Sequence, residues 1–312
     1  MMPAMSKPKR YSKSKAAVRR LTACSIGLLL TACQPAYFKV LNAAVTSDIS
    51  ESRVFDAAHG LSLDVYRTRT LARPAPVVVF FYGGSWQGGR REYYRFVGEA
   101  LSKRGVVVVI PDYRKAPQHV FPAFMEDAAA ATAWTIAHAA QIGGDPGRVY
   151  VMGHSAGGHI AALLGTDSRY LARQGLRSRQ LAGVIGLAGP YDFLPITDPS
   201  LQHVFGAQTD WPISQPVNFV DGDEPPFLLI HGASDRSVWP MNSEHLAKRL
   251  RDAGEPVTLR IIPNTGHIGL VNGFLSPRFS PVLQETVNWI ESTIANGEGN
   301  LASRPQAPPT SK

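Results

Sequence analysis

The chain has 312 residues, 44% of them hydrophobic and 18% charged, which is enough apolar material for one large core and excludes a wholly disordered protein. Its formal net charge of +8 does not point to nucleic acid. Seven cations, Lys7, Lys9, Arg10, Lys13, Lys15, Arg19 and Arg20, precede position 33 with no acid among them, which leaves +1 for everything after.

Those cations end at Arg19-Arg20 and are followed by the apolar run Leu21 to Ala32, long enough for the core of a signal peptide and short for a bilayer span. Residues 1–32 are therefore expected to be a secretion signal. The run closes in Leu30-Thr31-Ala32-Cys33, which resembles the bacterial lipobox. That resemblance implies cleavage before Cys33, a diacylglyceryl group on its sulfur, and anchoring in the cell envelope. The outer membrane is favoured where there are two membranes, because Gln34 rather than Asp follows the cysteine. A second LTAC, Leu21 to Cys24, follows the arginine pair with no apolar run before it, so Cys33 is preferred. An ordinary signal peptide with a coincidental cysteine is the alternative. Both cysteines lie in this leader, so the mature domain has no disulfide. Residues 33–52 are polar and weakly patterned and read as a tether. Residues 296–312 hold Gly, Ser, Pro and Gln and read as a disordered tail, leaving one domain over residues 53–295.

Within that domain Arg53 to Ala57 and Leu61 to Arg67 flank an Ala-His-Gly turn and read as an edge hairpin. Pro76 to Phe81 is a continuous apolar run, the mark of a strand covered on both faces, and it empties into Tyr82-Gly83-Gly84-Ser85-Trp86-Gln87-Gly88-Gly89. Glu92 to Lys103 has helical spacing and Gly105 ends it. The strand Val106 to Ile110, the Asp112-Tyr113-Arg114 turn and an alanine-rich helix from Phe121 to Gln141 come next. Val149 to Val151 then runs as a strand into Gly153-His154-Ser155-Ala156-Gly157 and a helix through Leu164. Strands follow at Leu181 to Leu187, Phe227 to His231 and Val257 to Ile262, with helices at Glu244 to Leu250 and Pro281 to Ile294. Between Pro190 and Pro226 the pattern breaks into an insertion. Alternating strands and helices predict an α/β fold with a mostly parallel sheet covered on both faces, the insertion standing above the carboxyl edge.

The strand, sharp turn and helix around Ser155 suit a nucleophile. Gly153 and Gly157 keep Cβ atoms out of the crossing between strand and helix, and the Ala156 N–H at the helix start is placed for a developing oxyanion. A serine nucleophile needs a base, and the base an orienting acid. In a parallel sheet these gather at the carboxyl ends of strands. His267 follows the strand Val257 to Ile262, and Asp235 follows Phe227 to His231. Asp192, after the preceding strand, is the rival acid. His154 and His159 flank the serine but are expected to point elsewhere, and His231 to be a packed, hydrogen-bonded residue. With no metal-ligand spacing in the body and no phosphate loop, cofactor-free hydrolysis remains.

Taken in order, Tyr82-Gly83-Gly84-Ser85-Trp86, Asp112-Tyr113-Arg114, Gly143-Gly144-Asp145-Pro146, Gly153 to His159, His231-Gly232-Ala233-Ser234-Asp235 and Gly266-His267 resemble the α/β-hydrolase esterases. The similarity is nearest to the feruloyl-esterase-like carboxylesterases and kynurenine formamidases, and more distant to the hormone-sensitive-lipase group. It covers roughly residues 53–294. It implies an α/β-hydrolase fold, a triad of Ser155, Asp235 and His267, an oxyanion hole from Gly83, Gly84 and Ala156, no cofactor or metal, and a small-molecule ester of short to medium acyl chain as substrate. The family's loop usually begins His-Gly-Gly, so Tyr82 must replace whatever that histidine orders. An amidase or formamidase on the same triad is the alternative, and a non-catalytic binding protein is the rival of another class. The insertion's Tyr191, Phe193, Phe205, Trp211 and Phe219 are expected to wall the acyl site, against the reading that they only pack the insertion down.

Overall fold

The computed structural model describes residues 36–43, 45, 51–68 and 74–302. The proposed signal peptide, Cys33 and residues 303–312 lie outside them. Eight strands form one sheet in the order β1-β2-β4-β3-β5-β6-β7-β8. They are β1 (Glu51–Asp56), β2 (Leu61–Tyr66), β3 (Ala75–Phe81), β4 (Val107–Pro111), β5 (Gly144–His154), β6 (Gly183–Leu187), β7 (Phe227–Gly232) and β8 (Val257–Ile262). The hairpin β1-β2 joins β4 antiparallel, and every pairing from β4 through β8 is parallel. The valine-rich runs explain the centre. Val77 to Phe81 and Val107 to Ile110 are completely buried, as strands covered on both faces must be.

Helices, numbered in chain order, are α1 (residues 36–42), α2 (Arg95–Ser102), α3 (Ala123–His138), α4 (Ala156–Thr166), α5 (Ser168–Ala172), α6 (Pro199–Phe205), α7 (Met241–Asp252), α8 (His267–Asn272) and α9 (Val282–Ala302). Two glycines show which helices oppose each other across the sheet. A Cβ on Gly183 would meet Trp289 of α9, whereas a Cβ on Gly165 of α4 would meet Val184, the next residue of the same strand. Successive strand residues face opposite sides, so α9 and α4 cover opposite faces. The parallel sheet with helices on both sides is the architecture that the alternating pattern predicts, and it is the α/β-hydrolase fold that the resemblance implies.

Both ends of the domain differ from the sequence expectation. Residues 36–42, assigned to a tether, form α1 and dock on the body. Phe38 is buried, its ring stacked 4.8 Å from that of Tyr93. Asn42 Nδ2 donates to the carbonyls of Glu92 and Tyr93, and its Oδ1 accepts from Phe96 N. Tyr37 and Phe38, two adjacent aromatic side chains in a short polar stretch, are the sequence signal for this docking. At the other end α9 runs on to Ala302, beyond the expected boundary at residue 295, because no proline interrupts residues 282–302 and a helix propagates at little cost once packed.

Candidate active site

Ser155 sits between the end of β5 and the start of α4 with φ 58° and ψ −123°, a conformation that costs a non-glycine residue of order 1–3 kcal/mol and persists only where the surroundings enforce it. The enforcement is visible. A Cβ on Gly153 would lie 2.1 Å from the Gly157 carbonyl oxygen, and one on Gly157 would lie 1.9 Å from that of Phe81. Strand and helix cross with no room for side chains. Ser155 N–H is tied to the Leu187 carbonyl at 2.9 Å, and Ala156, at the first position of α4, has an N–H beyond the reach of intrahelical bonding.

Asp235 and His267 come together from separate strand ends. A Cβ on Gly232 would meet the Thr265 carbonyl oxygen at 2.2 Å, so this glycine lets the segment after β8 close onto the end of β7. Asp235 Oδ2 then accepts from His267 Nδ1 at 2.7 Å, which leaves Nε2 as the basic nitrogen. The second oxygen, Oδ1, accepts from the Ser237 and Val238 N–H groups at 2.9 and 3.0 Å. His231 Nε2 lies 3.3 Å from Oδ2 and 2.9 Å from the Val238 carbonyl. Both neighbours are acceptors, so Nε2 carries the proton, while Nδ1 meets Ser243 Oγ at 2.7 Å. Burial alone would push the Asp235 carboxyl up. Hydrogen bonds from His231 and His267, the nearby imidazole charge of His267 and the Val238 N–H together outweigh it and hold the group well below the usual carboxylate range. Asp192, the rival acid, pairs instead with His245 at 2.6 Å on the surface.

Two histidines have roles the sequence did not show. His154 places Nε2 3.2 Å from the His267 carbonyl oxygen, and the two rings lie 4.8 Å apart. Burial, reinforced by repulsion from His267, lowers its pKa to about 3, so it is neutral and must donate from Nε2. It fixes the backbone of His267 from the residue next to Ser155. His159 donates to the Ser214 carbonyl at 2.7 Å inside a cage of Trp86, Phe193 and Phe205, and burial lowers its pKa to about 4.

The loop after β3 corrects one expectation. Gly83 N–H does not face open space but is directed to the buried Tyr94 Oη at 3.3 Å, which competes with any role as an oxyanion donor. The next positions are the distorted ones, with Gly84 at φ 139° and Ser85 at φ 53°. Tyr82 answers for the missing histidine. Its hydroxyl accepts from Lys115 Nζ at 2.9 Å and donates to Asp112 Oδ1 at 3.3 Å, and its ring stacks 4.5 Å from that of Tyr113. Burial pushes the Tyr82 phenol well above its ordinary pKa, so it stays a neutral donor.

A cavity of about 200 Å³ opens at Ser155, lined among others by Ser85, Trp86, Ala156, Phe193, Val238 and Trp239. Of the insertion's five aromatics, only Phe193 lines it. Phe205 stands behind, packed on Trp86 and Phe193. Tyr191 fills space against Gly186 and Gly189, Trp211 donates to the Gly206 carbonyl, and Phe219 lies under Arg169. Asp56, His59 and Asp127 bring possible metal-ligating atoms within 4.8 Å of one another. Arg114 already engages Asp127 through its backbone N–H and guanidinium and reaches His59, so the cluster reads as an ion-pair network.

Residues 63–250 match the BD-FAE family model. Esterase LipC of Mycobacterium tuberculosis is 32% identical over 225 residues, covering 66% of this chain and 56% of that protein. A probable isoprenylcysteine alpha-carbonyl methylesterase of Arabidopsis thaliana is 29% identical, covering 67% and 48%. The chain thus spans about half the length of the curated relatives it matches. Among solved structures, Thermogutta terrifontis esterase 2 superposes with a TM-score of 0.66 at 24% identity, over 81% of this chain and 97% of that one. An acetyl ester-xyloside bifunctional hydrolase from Caldicellulosiruptor lactoaceticus gives 0.65 at 25%, over 80% and 93%. With the family model matching well over half of the chain, this protein belongs to the BD-FAE family.

Proposed function

We propose that this protein hydrolyses carboxylic esters of short acyl chain through an acyl-enzyme at Ser155. The observation that carries the reading is the 2.7 Å Asp235–His267 pair, which leaves a basic Nε2 at the same sheet edge as a strained serine whose pocket is apolar and small. Ser155 Oγ attacks the carbonyl carbon as His267 Nε2 takes its proton. The oxyanion forms against the N–H groups of Ala156 and of Gly84 and Ser85, the latter replacing Gly83 in that role. Collapse expels the alcohol with the proton from His267, and water repeats the sequence to release the acid. Asp235 stabilises the imidazolium. His154 must stay neutral meanwhile, since a second cation 4.8 Å away would oppose it by about 3 kcal/mol at an effective dielectric of ~20.

Relatives and structural neighbours carrying the name esterase favour esters over amides, although the same groups serve either leaving atom. The cavity volume favours acetyl to butyryl groups over long chains. By the lipobox resemblance, the mature protein begins at Cys33 and is held on the cell envelope by lipid on that residue. Ser155→Ala tests the chemistry. Hydrolysis of 4-nitrophenyl acetate should fall roughly 10⁴- to 10⁶-fold with the fold intact by circular dichroism, and wild-type turnover in that variant would refute the assignment.

A further inference from the structure

Among the described residues, the large exposed apolar side chains include one that lines the Ser155 pocket and three that adjoin residues of the site in sequence. Trp239, 63% exposed, lines the pocket itself. Met241, 47% exposed, adjoins pocket-lining Asn242, Ile268, 45% exposed, follows His267, and Leu194, 38% exposed, follows pocket-lining Phe193. A soluble protein seldom leaves such a group of side chains bare without a use for it. A second observation says what covers it. Helix α1 is fastened to α8, the helix that begins at His267 and carries Ile268. Tyr37 Oη donates to Asn272 Oδ1 at 2.7 Å. Phe38 packs 5.1 Å from the ring of Tyr94, whose hydroxyl receives the Gly83 N–H. Val40 of α1 is exposed as well, and so is Phe279 in the segment between α8 and α9.

Cys33 precedes Tyr37 by four residues, so at ~3.5 Å per residue the Cα of an acylated Cys33 stays within about 14 Å of the Tyr37 Cα. Helix α8, six residues long, spans only about 9 Å more to His267. Lipid on Cys33 would thereby be tethered by a few residues to the helix that holds α8, and not by a long leash.

We propose that the mouth of the active site is a lipid-docking surface, held against the bilayer by the short anchored strap of α1, and that the substrate is an ester resident in that bilayer, drawn past Trp239 into the pocket. The proposal rests on ester hydrolysis at Ser155 and on acylation of Cys33. The rim alone would bind membranes weakly and reversibly. The anchor supplies the effective concentration that keeps it docked, and an indole at the lipid–water boundary suits Trp239.

The test uses the full-length lipidated protein on vesicles of phosphatidylethanolamine and phosphatidylglycerol. Brominated acyl chains should quench the emission that Trp239→Phe lacks, a readout that needs no catalysis and so survives failure of the functional reading. The double variant Met241→Ser/Ile268→Ser should lose about tenfold in hydrolysis of an ester dispersed in the vesicles while its rate on 4-nitrophenyl acetate in buffer stays within about twofold. Cys33→Ser should keep the buffer rate and need far more vesicle to reach the bilayer rate. Absent quenching of Trp239 overturns docking. Equal losses of the double variant in both assays overturn it too, and make the rim a subsite for the alcohol instead. A Cys33→Ser protein that matches wild type at every vesicle concentration overturns the strap.

Discussion

Lowering the pH from 8 to 5 sets two buried histidines against the fold. His154 and His159 are 2% and 0% exposed, with pKa values lowered by burial from 6.5 to about 3 and about 4. The unfolded chain takes up a proton on each ring as pH falls through about 6.5, and the folded chain does not until well below 5. Between those values the unfolded state binds more protons, so stability is full above about 6.5 and drains away toward pH 3–4. Each pH unit inside that window is worth about 1.4 kcal/mol per ring. At pH 5 each histidine has therefore withdrawn about 2 kcal/mol, and the pair about 4, a large share of the roughly 5–15 kcal/mol that holds a domain together. The measurement is urea unfolding at closely spaced pH values. Wild type should lose about 4 kcal/mol between pH 8 and 5. His159→Gln, which keeps a donor for the Ser214 carbonyl and does not titrate, should lose only about half as much. The same pH slope in both proteins would refute the argument, since His159 would then not be held neutral by the fold.

The other predictions concern the site. Asp235→Asn should cost roughly 10³- to 10⁴-fold in kcat while Asp192→Asn stays near wild type, and the reverse pattern in ester assays would move the acid to Asp192. Phe193→Ala should shift the preference along a 4-nitrophenyl ester series toward longer acyl chains. Phe205→Ala, one layer further out, should leave the preference in place and destabilise by about 3–5 kcal/mol, and a shift there with none at Phe193 would misplace the acyl wall. Tyr82→Phe keeps the ring stacked on Tyr113 but breaks the hydroxyl link to Lys115 and Asp112. It should lower kcat about tenfold with little change in KM if that link positions the loop, whereas unchanged kcat would make Tyr82 a packing residue only.

What could be read from the chain follows a physical divide. The convergence of Ser155, Asp235 and His267 on one sheet edge was legible because each follows the carboxyl end of a parallel strand, the first two after buried strands and His267 after the edge strand β8, and such ends converge whatever the intervening sequence does. The glycines around Ser155 were legible because the crossing of β5 and α4 leaves no volume, a local demand that a local motif reports. The partner of the Gly83 N–H was not, because it is the hydroxyl of Tyr94, eleven residues on, which accepts a hydrogen bond from it. The contact of His154 was not legible for a similar reason: its partner, the His267 carbonyl, lies 113 residues away. Helix α1 was missed because a seven-residue helix has little pattern of its own, and its evidence is the partner surface, Tyr93 for Phe38 and Asn272 for Tyr37.

Tyr82 joins the two halves of this divide. The sequence shows that the usual histidine is absent, and only the fold shows that Lys115, from beyond β4, and Asp112 meet the hydroxyl that stands in its place. The exchange has a chemical consequence. A phenol pushed above its ordinary range by burial remains a neutral donor across the neutral pH range. The loop that carries Gly84 and Ser85 is thereby tied to a group that stays neutral, itself held between Lys115 and Asp112.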